Sequence, residues 1–467
     1  MSASLEESAA SPRLPSPLDR PVWQQVLMLA WPVLLQNWLV TAVHLSDRLM
    51  AGRFQDVGAA EQAATQAAQT TASYLGWLLS SYTALITIGS TALVARMIGA
   101  RDRRTARQVL HQSLLLALGL GLVGMALGLG FLDRLLQVLR LQEVAAGYAG
   151  GYLRPLLYAL PLQMVGMAGI ACLAGAGDTR TGMWVLGGIT LINLPLAWGF
   201  FSRLGFVGIA VGTALSQGLG GLAVLLVLYV GRAHLRLRLR YLVPRPALIA
   251  RILRISIPAA MDNVSMMVGQ LWFLGIVNDL GDTAAAAHGI ALTWEALGFY
   301  AGAAFGTAAL TVVGQSLGAG QPERAARGGW LAFAMGTGVM CVMGLLFFTL
   351  ADPMFRLFCP HPSQEAIVTT GIPALRLIAF GMPACGVCII LAAALRGAGD
   401  TRFPMLFTWV GFFALRIPLA YLFTLPEPRG WGLGLVGAWL AMVTDLQIRG
   451  LFILVRYLRG GWKLIEV

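Results

Sequence analysis

The residues that could do chemistry in this chain are few, and most of them lie inside apolar runs. Asp47 is the only carboxylate in the first such run, about ten residues after Asn37 and near the outer end. A carboxyl group there can hold a cation, or take up and release a proton, because burial among apolar helices favours its protonated form. His288 and Glu295 lie seven residues apart in the eighth run, almost two helical turns, so they share one face. Arg416 stands mid-run in the eleventh. Two accounts of this set are open: Glu295 pairs with Arg416 while His288 packs helices as a hydrogen-bond donor, or Glu295 serves a substrate or a proton. Pairing is the expectation carried forward, since the depths are similar and an unpaired charge costs about 2.5–3.5 kcal/mol on insertion scales. Asp262 follows Pro258 by one turn and either faces a cavity or is solvated near the inner end, whereas Asp445 has Arg449 available at i,i+4 spacing. Thr65, Gln69, Ser73, Trp77 and Ser80 repeat every three to four residues as one polar stripe. That stripe is a cavity wall, with Gln36, Asn37 and Gln163 as extensions, or hydrogen-bonding glue between helices.

The elements that must position these side chains are apolar helices. The chain is 57% hydrophobic and only 12% charged, with mean hydropathy +0.73, a composition that needs lipid as its solvent. About twelve apolar runs of spanning length recur, Val22 to Leu45, Leu110 to Leu132 and Gly434 to Val455 among them, and predict an all-α polytopic membrane protein. Net charge is +12, carried by Arg with a single Lys, and it falls between the runs, not along a groove, so a nucleic-acid partner is not expected. With the N-terminus inside, roughly 22 basic residues fall in inner segments against about 6 outside, which places both termini in the cytoplasm. Residues 1–21, without the features of a signal peptide, read as a disordered cytoplasmic tail.

The halves of the chain repeat each other. Gly175-Ala176-Gly177-Asp178-Thr179-Arg180 recurs letter for letter as Gly397-Ala398-Gly399-Asp400-Thr401-Arg402, with upstream matches such as Pro161 and Pro383 at the same offset. Downstream, after a one-residue slip, Leu194-Pro195-Leu196-Ala197-Trp198 answers Ile417-Pro418-Leu419-Ala420-Tyr421. Ala30-Trp31-Pro32 resembles Ser256-Ile257-Pro258, and Val94 to Ala100 resembles Val313 to Ala319. Six spans per repeat preserve orientation, so two lobes (22–231 and 253–467) should be related by an axis along the membrane normal, joined by a basic cytoplasmic linker (232–252). Each GAGDTR reads as a tight helix-to-helix turn, with Gly ending one helix and Asp or Thr capping the next.

Enzymes and channels fit poorly. No HExxH zinc helix occurs, and the one GxSxG string, Gly314-Gln315-Ser316-Leu317-Gly318, follows an apolar helical run and is no nucleophile elbow; the five His are scattered, Cys385-Gly386-Val387-Cys388 has no second pair, and rings of charge suited to a pore are scarce.

The paired GAGDTR turns, Val313-Gly314-Gln315-Ser316-Leu317-Gly318-Ala319-Gly320 and the stretch Leu45 to Arg53 together resemble the multidrug and toxic compound extrusion (MATE) family, over nearly the whole chain. The resemblance implies export of small organic cations or amphipathic xenobiotics across the inner membrane by alternating access, in exchange for protons or sodium, with no cofactor and as a monomer. It also implies that Asp47, helped by Asn193, forms a cation site in the N-lobe. The family often places a second Asn or Asp where this chain has Ala197. Met266 stands where one branch carries a Glu, and the tenth helix lacks that branch's Asp; both departures look more like the DinF-like branch. Flippases for lipid-linked oligosaccharides share the two-lobe plan and are the alternative, disfavoured by how few cations lie within the spans.

Overall fold

The structure, a computed structural model, describes residues 20–52, 81–138, 143–426 and 428–465; within α1 the side chains of 40 and 42–52 are not described. Twelve long helices carry the described chain: α1 (Val22–Gly52), α2 (Ser81–Gly99), α3 (Arg103–Val138), α4 (Glu143–Gly175), α5 (Thr179–Leu204), α6 (Phe206–Val230), α7 (Pro246–Asn278), α8 (Asp282–Gly318), α9 (Pro322–Thr349), α10 (Glu365–Gly397), α11 (Arg402–Thr424) and α12 (Gly434–Leu458). Their outer faces present large apolar side chains, Trp184, Leu226, Leu345 and Phe380 among them, each more than 60% exposed. Lipid is the solvent in which such faces are stable.

The two lobes repeat at atomic detail where the chain turns. After α4, Asp178 N–H donates to Leu173 O and Gly177 N–H to Ala174 O, both at 2.9 Å, with Gly177 at φ 95°. After α10 the same pair of bonds runs from Asp400 to Leu395 and from Gly399 to Arg396, with Gly399 at φ 92°. Each glycine thus takes the left-handed conformation that closes the helix end. The ends of α2 and α8 turn in the same way, except that Arg101, at φ 58°, occupies the position that Gly320 fills in the second lobe.

One difference between the lobes was already visible as the one-residue slip. Residues Val410–Arg416 of α11 form a π-turn, which accommodates one extra residue within a continuing helix. The spacing from GAGDTR to the helix proline is one residue longer in the second lobe, and that residue is housed there. Its consequence is positional: Asn193, before Leu194-Pro195, and Arg416, before Ile417-Pro418, are equivalent residues of the repeat.

The lobes meet at the end of the bundle that carries both GAGDTR turns and most of the arginine, here termed the basic end. There α2 crosses α8 through a reciprocal contact: Gly99 lies against the backbone of Gln315, and Gly318 against that of Arg96. Glycine is required because any Cβ would collide with the facing backbone. The first half of α1 enters the seam, where Val26, Leu29 and Ala30 join Phe305, Ala308 and Val312 of α8 in one buried cluster. Among the described residues, the hydrogen bonds between α1–α6 and α7–α12 run from this end as far as mid-helix, where Asn37 Nδ2 donates to Tyr300 O at 3.3 Å.

Candidate functional site

In the first lobe, the site is built from α5 and α6. Asn193 is 1% exposed, and its Nδ2 donates to Thr213 Oγ1 at 3.0 Å and Ser216 Oγ at 3.3 Å. Both hydroxyls already donate to backbone carbonyls, Thr213 to Ile209 O and Ser216 to Thr213 O, so they can only accept from Asn193. That network fixes the amide's orientation and turns Oδ1 the other way. Oδ1 is buried and meets no donor among the described residues. A buried amide oxygen in that position calls for a proton donor or a cation.

The helix facing α5 is α1. Gln36 packs over Gly182, and Leu39 over Gly187. Asp47 lies in the helical backbone of α1, while its side chain is outside the described residues, as are Gln69, Ser73 and the rest of the polar stripe. Gln36 and Gln163 are half-buried, on α1 and α4, and Asn37 is the residue that reaches across to α8.

In the second lobe the structure differs from the expected pairing of Glu295 with Arg416. Arg416 turns to Asp445 of α12, with Nε and Nη2 at 2.9 and 2.8 Å from Oδ2, and its Nη1 donates to Gln270 Oε1 of α7 at 2.8 Å. Arg449 donates to the same Oδ2 at 3.0 Å from one turn along α12, as the i,i+4 spacing anticipates. Asp445 is wholly buried, and Gly411 makes room for it, since a Cβ there would collide with Oδ1. Both guanidiniums also lie near the Phe412 ring, Arg416 at 4.1 Å and Arg449 at 5.2 Å from its centroid. One carboxylate between two guanidiniums leaves the trio with a net positive charge.

Glu295 stands apart from that trio. It has no hydrogen bond or ion pair among the described residues, though Arg416 is near enough for its charge to act on it. The reason for the different pairing is rotational: α12 presents Asp445 directly to Arg416. His288 is buried and accepts a hydrogen bond from Trp439 Nε1 at 3.1 Å, with Phe273 packed beside it, which makes it a helix-packing residue. Here His288 is the acceptor of that bond, where a packing donor was expected. Asp262 is not solvated: it is fully buried and ion-paired with Arg396 of α10. Arg154 is exposed and bonds Asp133 at 3.2 Å. The role of Asp445 as the centre of a buried network was missed in the sequence, although Gln270 and Gly411 at matching depth were the signals for it.

A family model, MatE, matches residues 32–199 and 258–422, one stretch in each lobe. The probable multidrug resistance protein NorM of Thermotoga maritima is 27% identical over 94% of this chain and 93% of that protein. The multidrug resistance protein PmpM of Pseudomonas aeruginosa is 26% identical over 95% and 92%. Among solved structures, a MOP superfamily transporter from Pyrococcus furiosus superposes with a TM-score of 0.89, at 22% identity over 97% of this chain and 98% of that one. An outward-facing multidrug resistance MATE family transporter superposes at 0.88, also at 22% identity, over the same shares. These likenesses show a shared fold, and the family model reaches both lobes and most of the chain: the protein belongs to the MatE family of membrane transporters, the multidrug and toxic compound extrusion family.

Proposed function

We propose that this protein exports organic cations or amphipathic xenobiotics, in exchange for protons or sodium, and that Asp47 and Asn193 carry the coupling ion. The observation that bears most on this reading is the buried Oδ1 of Asn193, whose amide has spent its donors on Thr213 and Ser216. A protonated carboxyl would donate to that oxygen, and a sodium ion would be coordinated by it together with a carboxylate.

The backbone register of α1 against α5 supports the choice of Asp47. Both helices start at the basic end, and Gln36 faces Gly182. Eleven residues further along each stand Asp47 and Asn193. The repeat gives independent support. The position of Asp47, fifteen residues after Pro32, is filled by Phe273 after Pro258 in the second lobe, and Phe273 lies 5.8 Å from the guanidinium of Arg416, the counterpart of Asn193.

Names of relatives such as NorM and PmpM support drug export as the direction and substrate class. Closure at the basic end, with that end in the cytoplasm as the arginine placement favours, suits an outward-open state that has released its cargo. The branch, by its Met266 and single-lobe carboxylate site, is the DinF-like one. The protein is then a monomer of the inner membrane with both termini cytoplasmic, needing no cofactor beyond the coupling ion.

The test uses purified protein in liposomes with proton and sodium gradients imposed separately and a fluorescent cationic dye as cargo. Asp47→Asn should abolish gradient-driven export while dye binding persists, and Asn193→Ala should weaken coupling less. Wild-type export by Asp47→Asn would remove Asp47 from the mechanism.

A further inference from the structure

The two GAGDTR turns are identical in sequence but not in what they bond, and the difference leaves a basic cavity at one of them. At the first turn, Asp178 caps α5: Oδ1 accepts from Thr181 N–H at 3.0 Å and Oδ2 from Thr181 Oγ1 at 2.7 Å. Arg232 completes the neutralisation at 3.0 Å from Oδ2. At the second turn, the residue equivalent to Thr181 is Phe403, followed by Pro404, so the hydroxyl that engaged the aspartate is gone. Asp400 instead turns away to Arg456 of α12, at 2.8 Å, and α11 begins without a side-chain cap. The Arg456 guanidinium lies 4.0 Å from the Phe403 ring centroid.

A cavity of about 520 Å³ opens beside this turn. Its walls bring Arg251 and Arg254 of α7, Arg402 of α11 and Arg456 of α12 around the uncapped helix start. Among the described residues that line it, Asp400 is the one acid, and it is committed to Arg456. Arg254 and Arg402 are exposed and make no hydrogen bond or ion pair among the described residues. Two guanidinium forks without partners, beside a helix N-terminus whose field attracts anions, match a phosphate oxygen cluster.

We propose that this cavity binds a phosphate ester, carried by an anionic phospholipid of the leaflet at the basic end. The cavity's own walls favour a lipid as the carrier: Ile255, Phe403 and Ile465 give it an apolar side. Near it, Leu406, Leu458 and Leu464 are 48%, 63% and 86% exposed, surface that acyl chains would cover. A soluble phosphate would use the guanidiniums and leave the apolar side idle. The occupant ties the starts of α7 and α11 to the end of α12. This inference does not depend on the coupling site, because no residue lining the cavity belongs to α1, α5 or α6.

The experiment follows thermal unfolding of the purified full-length protein in neutral detergent micelles containing phosphatidylglycerol, phosphatidylcholine, or inorganic phosphate without lipid. Phosphatidylglycerol should raise the midpoint of the wild type, and Arg254→Ala/Arg402→Ala should shift the concentration needed upward by about tenfold or more, the loss expected for charge-assisted hydrogen bonds. Arg103→Ala/Arg104→Ala removes the same charge elsewhere at the basic end and should leave the response unchanged. Inorganic phosphate acting as well as the lipid, with the same dependence on Arg254 and Arg402, would keep the phosphate site and make its natural ligand soluble. An equal response to phosphatidylcholine, or an undiminished response in Arg254→Ala/Arg402→Ala, would overturn the proposal. Unfolding of that variant without lipid, compared with the wild type, separates lost binding from lost folding.

Discussion

Replacing Asp445 with Asn is the sharpest test of the buried network in the second lobe. Asp445 Oδ2 receives three N–H groups, two from Arg416 and one from Arg449, and the side chain has no exposure to solvent. Asp445→Asn keeps the shape and one acceptor but leaves two guanidiniums side by side in an apolar interior. Removing one partner of a buried pair costs about 3–5 kcal/mol, because the other charge stays buried and unpaired. Adding Arg416→Gln restores the original net charge of the trio, so the double variant should be more stable than Asp445→Asn alone. The coupling energy expected for groups in one network is about 0.5–3 kcal/mol, and the geometry here favours the upper part of that range. Reversible unfolding in mixed detergent micelles, run on both single variants and the double, supplies the cycle. If the two changes added within about 0.5 kcal/mol, Arg416 and Asp445 would not be acting as a pair and the reasoning would fail.

Glu295→Gln should cost about 1 kcal/mol or less in the same assay, since Glu295 has no ion-pair partner among the described residues, while slowing transport; destabilisation as large as that of Asp445→Asn would contradict this. Gln315 ties α1 to α4 by accepting from Gln25 Nε2 at 2.9 Å and donating to Gly175 O at 3.0 Å. Gln315→Ala should therefore loosen the basic end, read as a longer and broader distance between spin labels at Ala100 and Ala319, and an unchanged distribution would show that the glycine crossing suffices. His234 is held below the usual imidazole range by burial and then by Arg103 and Arg107. Its contribution is present above the unfolded value of about 6.5 and lost as pH falls through the depressed folded value. Amide exchange in 232–245 should accelerate over that window, and His234→Gln should flatten the response.

The sequence by itself determined the class of fold, the number of spans and the doubling, because these follow from hydropathy and from local turn chemistry. A run of apolar residues must be helical in lipid, since no water is present to satisfy its backbone. GAGDTR dictates the same closing bonds wherever it stands, and the structure repeats them at Gly177 and Gly399. Even the π-turn at Val410–Arg416 was written as a one-residue slip between the halves. What the tertiary structure alone decided is which partners the buried charges take. Sequence gives each residue a depth along its own helix, and at the depth of Arg416 two carboxylates, Glu295 and Asp445, were within plausible reach. Helix rotation and lateral packing chose Asp445, and they buried Asp262 against Arg396 where depth alone allowed water. The two identical turns divide the same way: the hydroxyl of Thr181 that engages Asp178 is replaced by Phe403, which sequence shows, but that Asp400 turns to Arg456 was decided by the packing of α12, far away in sequence.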